Sequence, residues 1–125
     1  MAILLSGCEK SVSTGADRAL RFFENKKDGS WLRVEGTVIK SLSDDIEIPR
    51  HQRFIIKTEK GQTILIVHNI DIAKRIPIEP GKHLLVSGEY LWNPQGGRIH
   101  YTHRSTSRKK PGGYIKDLDT DKIYD

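Results

Sequence analysis

The segment GEYLWNPQGGRIHYTHRSTSRKKPGGY, Gly88 to Tyr114, gathers two histidines, four aromatic rings and five arginines or lysines. Imidazole is the side chain best suited to exchange a proton or bind a metal ion near neutral pH. His100 and His103 are three residues apart, a spacing that would place both rings on one face of a helix. The segment follows Gly96-Gly97 and contains Ile99, Tyr101 and Thr102, so it reads as a strand, whose alternation sends the two rings to opposite faces. A zinc pair from these two is therefore not expected unless the strand ends or bulges at Thr102. His68 closes another strand pattern and could approach His100. A three-ligand site would also need a carboxylate, for which Glu89 and Asp71 are candidates. Hydrogen-bonded structural histidines are the competing explanation, and no metal site or cofactor is assigned.

A second constellation lies in SDDIEIPRHQRF, where Asp44, Asp45 and Glu47 precede Arg50, His51 and Arg53. Carboxylates that hold a cation beside arginines that hold a phosphate would suit metal-dependent phosphodiester hydrolysis. Asp44, Asp45, Glu89, His68 and His100 are the catalytic candidates on that reading. The spacing matches no nuclease signature, and a solvated loop has the same composition.

Charge and aromatic rings point the third way. Arg98, Arg104, Arg108, Lys109 and Lys110 follow Tyr90, Trp92 and Tyr101, and rings can stack bases or sugars while cations track phosphates. Trp92 is a candidate stacking ring; alternatively it closes one end of the fold and RSTSRKK is a charged linker. The ligand-binding candidates are Arg50, His51, Arg53, His68, Trp92, Asn93, Arg98, His100 and His103. A net charge of +5 favours an anionic polymer or polar ligand, with solubility as the other explanation.

These residues need a scaffold, and 125 residues suffice for one modest core. Ala16, Ala19, Leu20 and Phe23 fall at helical spacing between a Ser13 or Thr14 cap and Gly29. From Trp31 the period becomes two, with Leu32, Val34, Val38 and Leu42 on one face. RFIIKT and TILIVH, joined by a short turn at Gly61, form a hairpin; KHLLVSGEYLW and RIHYTH are the fourth and fifth strands. NIDIAKRIPIEPG, between the third and fourth, reads as a short helical turn capped by Asn69 or Asp71. Three strands, a helical link and two more strands is the order of an oligonucleotide/oligosaccharide-binding (OB) barrel. The expected fold is mainly β: a five-stranded OB-like barrel with an N-terminal helix. The expected divisions are a signal remnant and tether over 1–12, the helix over 13–29, the barrel over 30–105, and a basic linker with a C-terminal hairpin or tail over 106–125.

The single cysteine, Cys8, excludes an intrachain disulfide and a cysteine zinc cluster. LLSGC resembles a bacterial lipobox, in which small residues precede a cysteine that becomes lipidated. Only seven residues precede it, so it reads as the end of a truncated signal. A chance match would leave a cytoplasmic protein. No apolar run is long enough for a transmembrane helix, so membrane association is expected only through a lipid at Cys8.

RHQRFII, GQTILIVHNIDIAKRIP, GEYLWNPQGGRIHYTH and PGGYI, in this order, resemble an uncharacterised bacterial family of small exported proteins, a domain of unknown function. The resemblance spans roughly Trp31 to Ile115 and implies an envelope (periplasmic or outer-membrane lipoprotein) or secreted protein, without supplying a reaction. His51, Arg53, His68, Asn69, Asp71, Glu89, Trp92, Asn93, Gly97, His100 and His103 keep its pattern. The family pattern has Asp-Pro where this chain has Ser105-Thr106, and a histidine where it has Lys110, which removes two potential ligands and adds positive charge. The leading expectation is a non-enzymatic binding module, nucleic-acid or glycan binding included. The alternatives are a hydrolase on the same barrel or a protein-docking module with an exposed sheet edge.

Overall fold

The computed structural model describes residues 13–125. Helix α1 (Gly15–Glu24) begins at Thr14, whose side chain accepts from the Asp17 N–H while Asp17 accepts from the Thr14 N–H, both at 3.0 Å. This reciprocal cap satisfies two N–H groups that an open helix start leaves unpaired. Ala16 and Ala19 are buried, and a Cβ on Gly15 would collide with the Arg33 carbonyl, so α1 starts in direct contact with the first strand.

Strands follow at β1 (Asp28–Asp45), β2 (His51–Lys57), β3 (Thr63–Asn69), β4 (His83–Leu91), β5 (Arg98–His100), β6 (Tyr114–Asp117) and β7 (Ile123–Tyr124). The long β1 serves two neighbours: its first half pairs with β4 and its second half with β2. Gly36 lies where the partners change over, and a Cβ there would come within 2.9 Å of Ile56. β2 pairs with β3, β3 runs parallel to β5, β5 pairs with β4, and β4 returns to β1. Five strands thus pair in a ring. The edge of β4 left beside β5 is taken by β6, which forms a hairpin with β7.

Strand alternation fills the ring. Leu32, Val34, Phe54, Ile56, Ile64, Ile66, Leu84, Val86, Tyr90 and Ile99 all point inward with almost no exposure. Each such side chain contributes about 1.5–3 kcal/mol through removal from water. The Tyr90 hydroxyl is also buried, and it donates to the Gly96 carbonyl at 3.0 Å.

The helical link expected between the third and fourth strands is absent. Asn69 Oδ1 accepts from the Asp71 and Ile72 N–H groups and closes a single turn, after which the chain is extended. Buried Gln52 accounts for the difference. Its amide donates to the Ile76 carbonyl at 2.7 Å and accepts from the Ile76 N–H at 2.9 Å, holding both backbone groups that a helix would need. Pro77 and Pro80 then block any continuation. No helix among the described residues is long and apolar enough to cross a membrane. The expected lipidation at Cys8 lies outside the described residues.

The fifth strand is shorter than its sequence suggests. It stops at His100, because Tyr101 adopts a left-handed backbone with φ 59°. The chain there crosses Gly88, where a Cβ would collide with the His100 carbonyl and lie 2.8 Å from Ile99 Cγ2. Gly88→Ala should therefore cost about 3 kcal/mol in urea unfolding, within the range for overpacked core sites. Gly61→Ala, in a turn with φ 83° and nothing near the added methyl, should cost about 1 kcal/mol.

Candidate functional site

The acidic cluster expected in a loop begins inside β1, whose last two residues, Asp44 and Asp45, act as braces. Asp44 is paired with Arg75. Asp45 accepts from the Glu47 N–H at 3.1 Å, and its other oxygen lies 3.9 Å from His51 Nδ1. That nitrogen is shielded from water and has no hydrogen-bond partner among the described residues. Arg50 donates to Asp71 from its backbone at 2.7 Å and through its guanidinium at 2.7 and 2.9 Å. These bonds, the backbone N–H foremost, hold the Asp71 carboxyl below its usual range. Arg53 donates to the Ser43 carbonyl at 2.9 Å. No hydrogen bond or ion pair links Asp44 or Asp45 to Glu89, His68 or His100, so the five catalytic candidates are not drawn into one centre.

His68 faces inward beside Ile64 and Ile66 and is fully buried. A carbonyl can only accept, so His68 Nε2 carries the proton and donates to the Lys74 carbonyl at 3.0 Å. Nδ1 is then the acceptor for the Thr102 hydroxyl at 2.7 Å. The expected approach of His68 to His100 does not occur, because the two rings lie on opposite faces of the sheet. Burial pushes the His68 pKa down to about 4, with His103 and His51 adding to the effect and the Lys74 bond opposing it. His103 is buried too; its Nδ1 donates to the Arg104 carbonyl at 2.7 Å, and its ring packs 4.2 Å from Tyr101. His100 and His103 thus meet different surroundings, through the left-handed turn at Tyr101 rather than through simple alternation. Among the described residues, no three His, Cys, Asp or Glu side chains are placed to hold a metal ion.

Trp92 is not a free stacking ring. Its indole N–H donates to the Phe23 carbonyl at 3.0 Å, its ring stacks on Phe23 with centroids 6.3 Å apart, and Lys26 lies over it. Asn93 serves the tight turn before β5, where its Oδ1 accepts from the N–H groups of Gln95 and Gly97, both at 2.9 Å.

The convergent side chains lie on the outer face where β1, β4 and β5 meet. Register places Trp31, Glu89 and His100 side by side on that face, with Arg98 one row away. Glu89 Oε1 accepts from His100 Nε2 at 2.8 Å and from Lys110 Nζ at 2.9 Å. Burial alone would raise the Glu89 pKa, but these two bonds outweigh it and hold the carboxyl below its usual range. The His100 pKa is lowered chiefly by burial, with Arg98 and Lys110 pressing the same way against Glu89. Lys110 also lies 5.1 Å above the Tyr101 ring, and Tyr101 meets Trp31 edge-on at 5.9 Å. An oriented imidazole, two cations and a half-buried aromatic pair therefore share one open face. Sequence reading singled out Glu89, Arg98 and His100 but not Trp31 or the clamping role of Lys110, because both depend on cross-strand register.

A family model described as a protein of unknown function (DUF3465) matches residues 2–125. No curated protein matches the chain.

The buried histidine predicts an acid limb of stability. The unfolded chain takes up this proton near pH 6.5 and the folded chain only near 4, so the contribution is complete above 6.5 and is lost as pH falls through that window. The loss should reach about 3 kcal/mol. His68→Leu should flatten this slope in urea unfolding between pH 4 and 6.5. It should also lower stability by about 2 kcal/mol at neutral pH, because Thr102 and Lys74 lose their partner.

Proposed function

The chain belongs to the DUF3465 family of proteins of unknown function, and from that premise we propose that it is an OB-type binding module for an extended polyanion. The ring order β1-β2-β3-β5-β4-β1, with β3 and β5 parallel, supports the OB assignment. In such barrels the outer face of the second and third strands and the adjoining loops receive the ligand. The reading rests on one observation above all: β2, β3 and β5 contain no aspartate or glutamate. Their outward positions instead offer Arg53, Lys57 and Arg98 around partly exposed Ile55, Leu65 and Val67, with Lys40 in the next strand.

Phosphate or sulfate groups would lie along these cations, and the Trp31–Tyr101 pair offers an aromatic surface at one end of the path. Arg53, Arg98 and His100, read from the sequence as ligand-binding, belong to this face. Arg50 and His51 flank it, while His68, Trp92, Asn93 and His103 maintain the fold that presents it. For the cellular setting, the LLSGC pattern favours a lipid tether at Cys8 in a bacterial envelope.

Fluorescence anisotropy with a labelled single-stranded oligonucleotide and with a sulfated glycan tests the reading. Affinity should fall steeply as salt rises, and Arg53→Ala and Arg98→Ala should each reduce the slope of log K against log salt by about 0.7 with the single strand. Binding to both polymers would define a general polyanion site, and binding to one would define its class. Affinity indifferent to salt and to both substitutions would discard the proposal.

A further inference from the structure

We propose that this face cleaves single-stranded RNA, with His100 as the general base, Glu89 as its orienting carboxylate, and Arg98 and Lys110 as the cations on the scissile phosphate. The proposal deepens the polyanion reading and rests on it. The first argument is the proton. An ionised carboxylate only accepts, so His100 Nε2 must carry the hydrogen bonded to Glu89 at 2.8 Å. That leaves Nδ1 as the basic nitrogen, and it has no hydrogen-bond partner among the described residues, on a side chain one-third exposed. Glu89, only 15 % exposed and clamped by Lys110, holds the tautomer and would stabilise the imidazolium once it forms.

The nucleophile decides the substrate. Within the described residues no serine, threonine or cysteine is hydrogen-bonded to His100, so the attacking hydroxyl must come from the ligand. RNA carries one beside every phosphate. His100 Nδ1 would take the 2′-hydroxyl proton as the 2′-oxygen bonds to phosphorus and the bond from phosphorus to the 5′-oxygen breaks. The leaving 5′-oxygen takes a proton from a water molecule, the imidazolium passes its own proton to the hydroxide so formed, and the product ends in a 2′,3′-cyclic phosphate. Nothing is oxidised and no co-reactant is consumed.

The surroundings suit that step. Arg98 lies two residues before His100 on the same side of β5, about 7 Å along the strand. Lys110 reaches the same carboxylate as His100, through its bond to Glu89 at 2.9 Å. Both cations therefore stand near His100, where a phosphate's charge would grow in the transition state. The Trp31 and Tyr101 rings, 5.9 Å apart beside Glu89, give an unstacked base a surface to rest on.

The test uses the purified chain, a labelled 12-nucleotide RNA of mixed sequence, and DNA of the same sequence, with EDTA present. The RNA should be cut to cyclic-phosphate ends while the DNA is bound and stays whole. His100→Ala should lower the rate by about 100-fold or more while still binding DNA, which shows that it is folded. Glu89→Gln should slow cleavage and move the acid limb of the pH–rate profile to lower pH, a shift that a purely structural carboxylate would not produce. RNA left intact by a protein that binds DNA would overturn the nuclease and leave the binding module standing. Equal cleavage by the wild type and His100→Ala would also overturn it. Neither binding nor cleavage would overturn the nuclease and leave the polyanion reading to the sulfated glycan alone.

Discussion

The close crossing of the Tyr101 turn over Gly88 decides which environment each neighbouring side chain meets. Tyr101 is left-handed, a conformation costly for a residue with a Cβ, and close backbone approaches at Gly88 and Gly113 accompany it. Gly88 lets the His100 carbonyl approach the β4 backbone, and Gly113 lets the Ser87 and Tyr101 carbonyls approach on the other side. Beyond the turn, Thr102 and His103 are carried into the interior, where Thr102 meets His68. His100, one residue before the turn, remains outside with Glu89. A single backbone reversal thus separates buried His103 from partly exposed His100.

Charge is sorted by the same framework. At the end of β1, Asp44 is committed to Arg75 and Asp45 to the Glu47 N–H and the neighbourhood of His51, and Asp71 is committed to Arg50. Asp117, almost fully buried, is paired with Lys82 at 2.9 Å. What remains uncompensated on the outer face of β2, β3 and β5 is cationic, since none of these strands contains an acid. The modest overall charge of +5 therefore understates the local field, because its negative part is held elsewhere.

Much of the framework was legible because alternation and helical spacing are local. Leu32 and Val34, Phe54 and Ile56, and Ile64 and Ile66 mark inward faces that a period of two reveals, and Thr14 marks the helix start. The parallel pairing of β3 with β5 was not legible, since it joins residues such as Leu65 and Arg98 across long sequence separation. The link after Asn69 misled because its helix-like pattern competes with a distant side chain, Gln52, that captures the Ile76 backbone. Site residues followed the same divide. Glu89, Arg98 and His100 stand out by type, whereas Trp31 joins them only through the β1–β4 register and Lys110 only through the path of the loop from Tyr101 to Gly113. Trp92 looked free because nothing nearby in sequence announces Phe23 as its partner.

The mixture of rigid and movable parts has a consequence for how the outer face would work. Trp31, Glu89, Arg98 and His100 are fixed by paired strands, so their spacing is set before any ligand arrives. Lys110 instead comes from an exposed loop, and its ammonium stays partly open to water while it holds Glu89. An incoming phosphate can therefore draw the ammonium toward itself. Glu89 would then face His100 with one cation fewer on its oxygen, so the imidazole would become a stronger base as the anion binds. On the proposed reading, ligand charge and proton affinity would be coupled through that one lysine, and the loop, rather than the ring of strands, would be the element whose sequence tunes the chemistry.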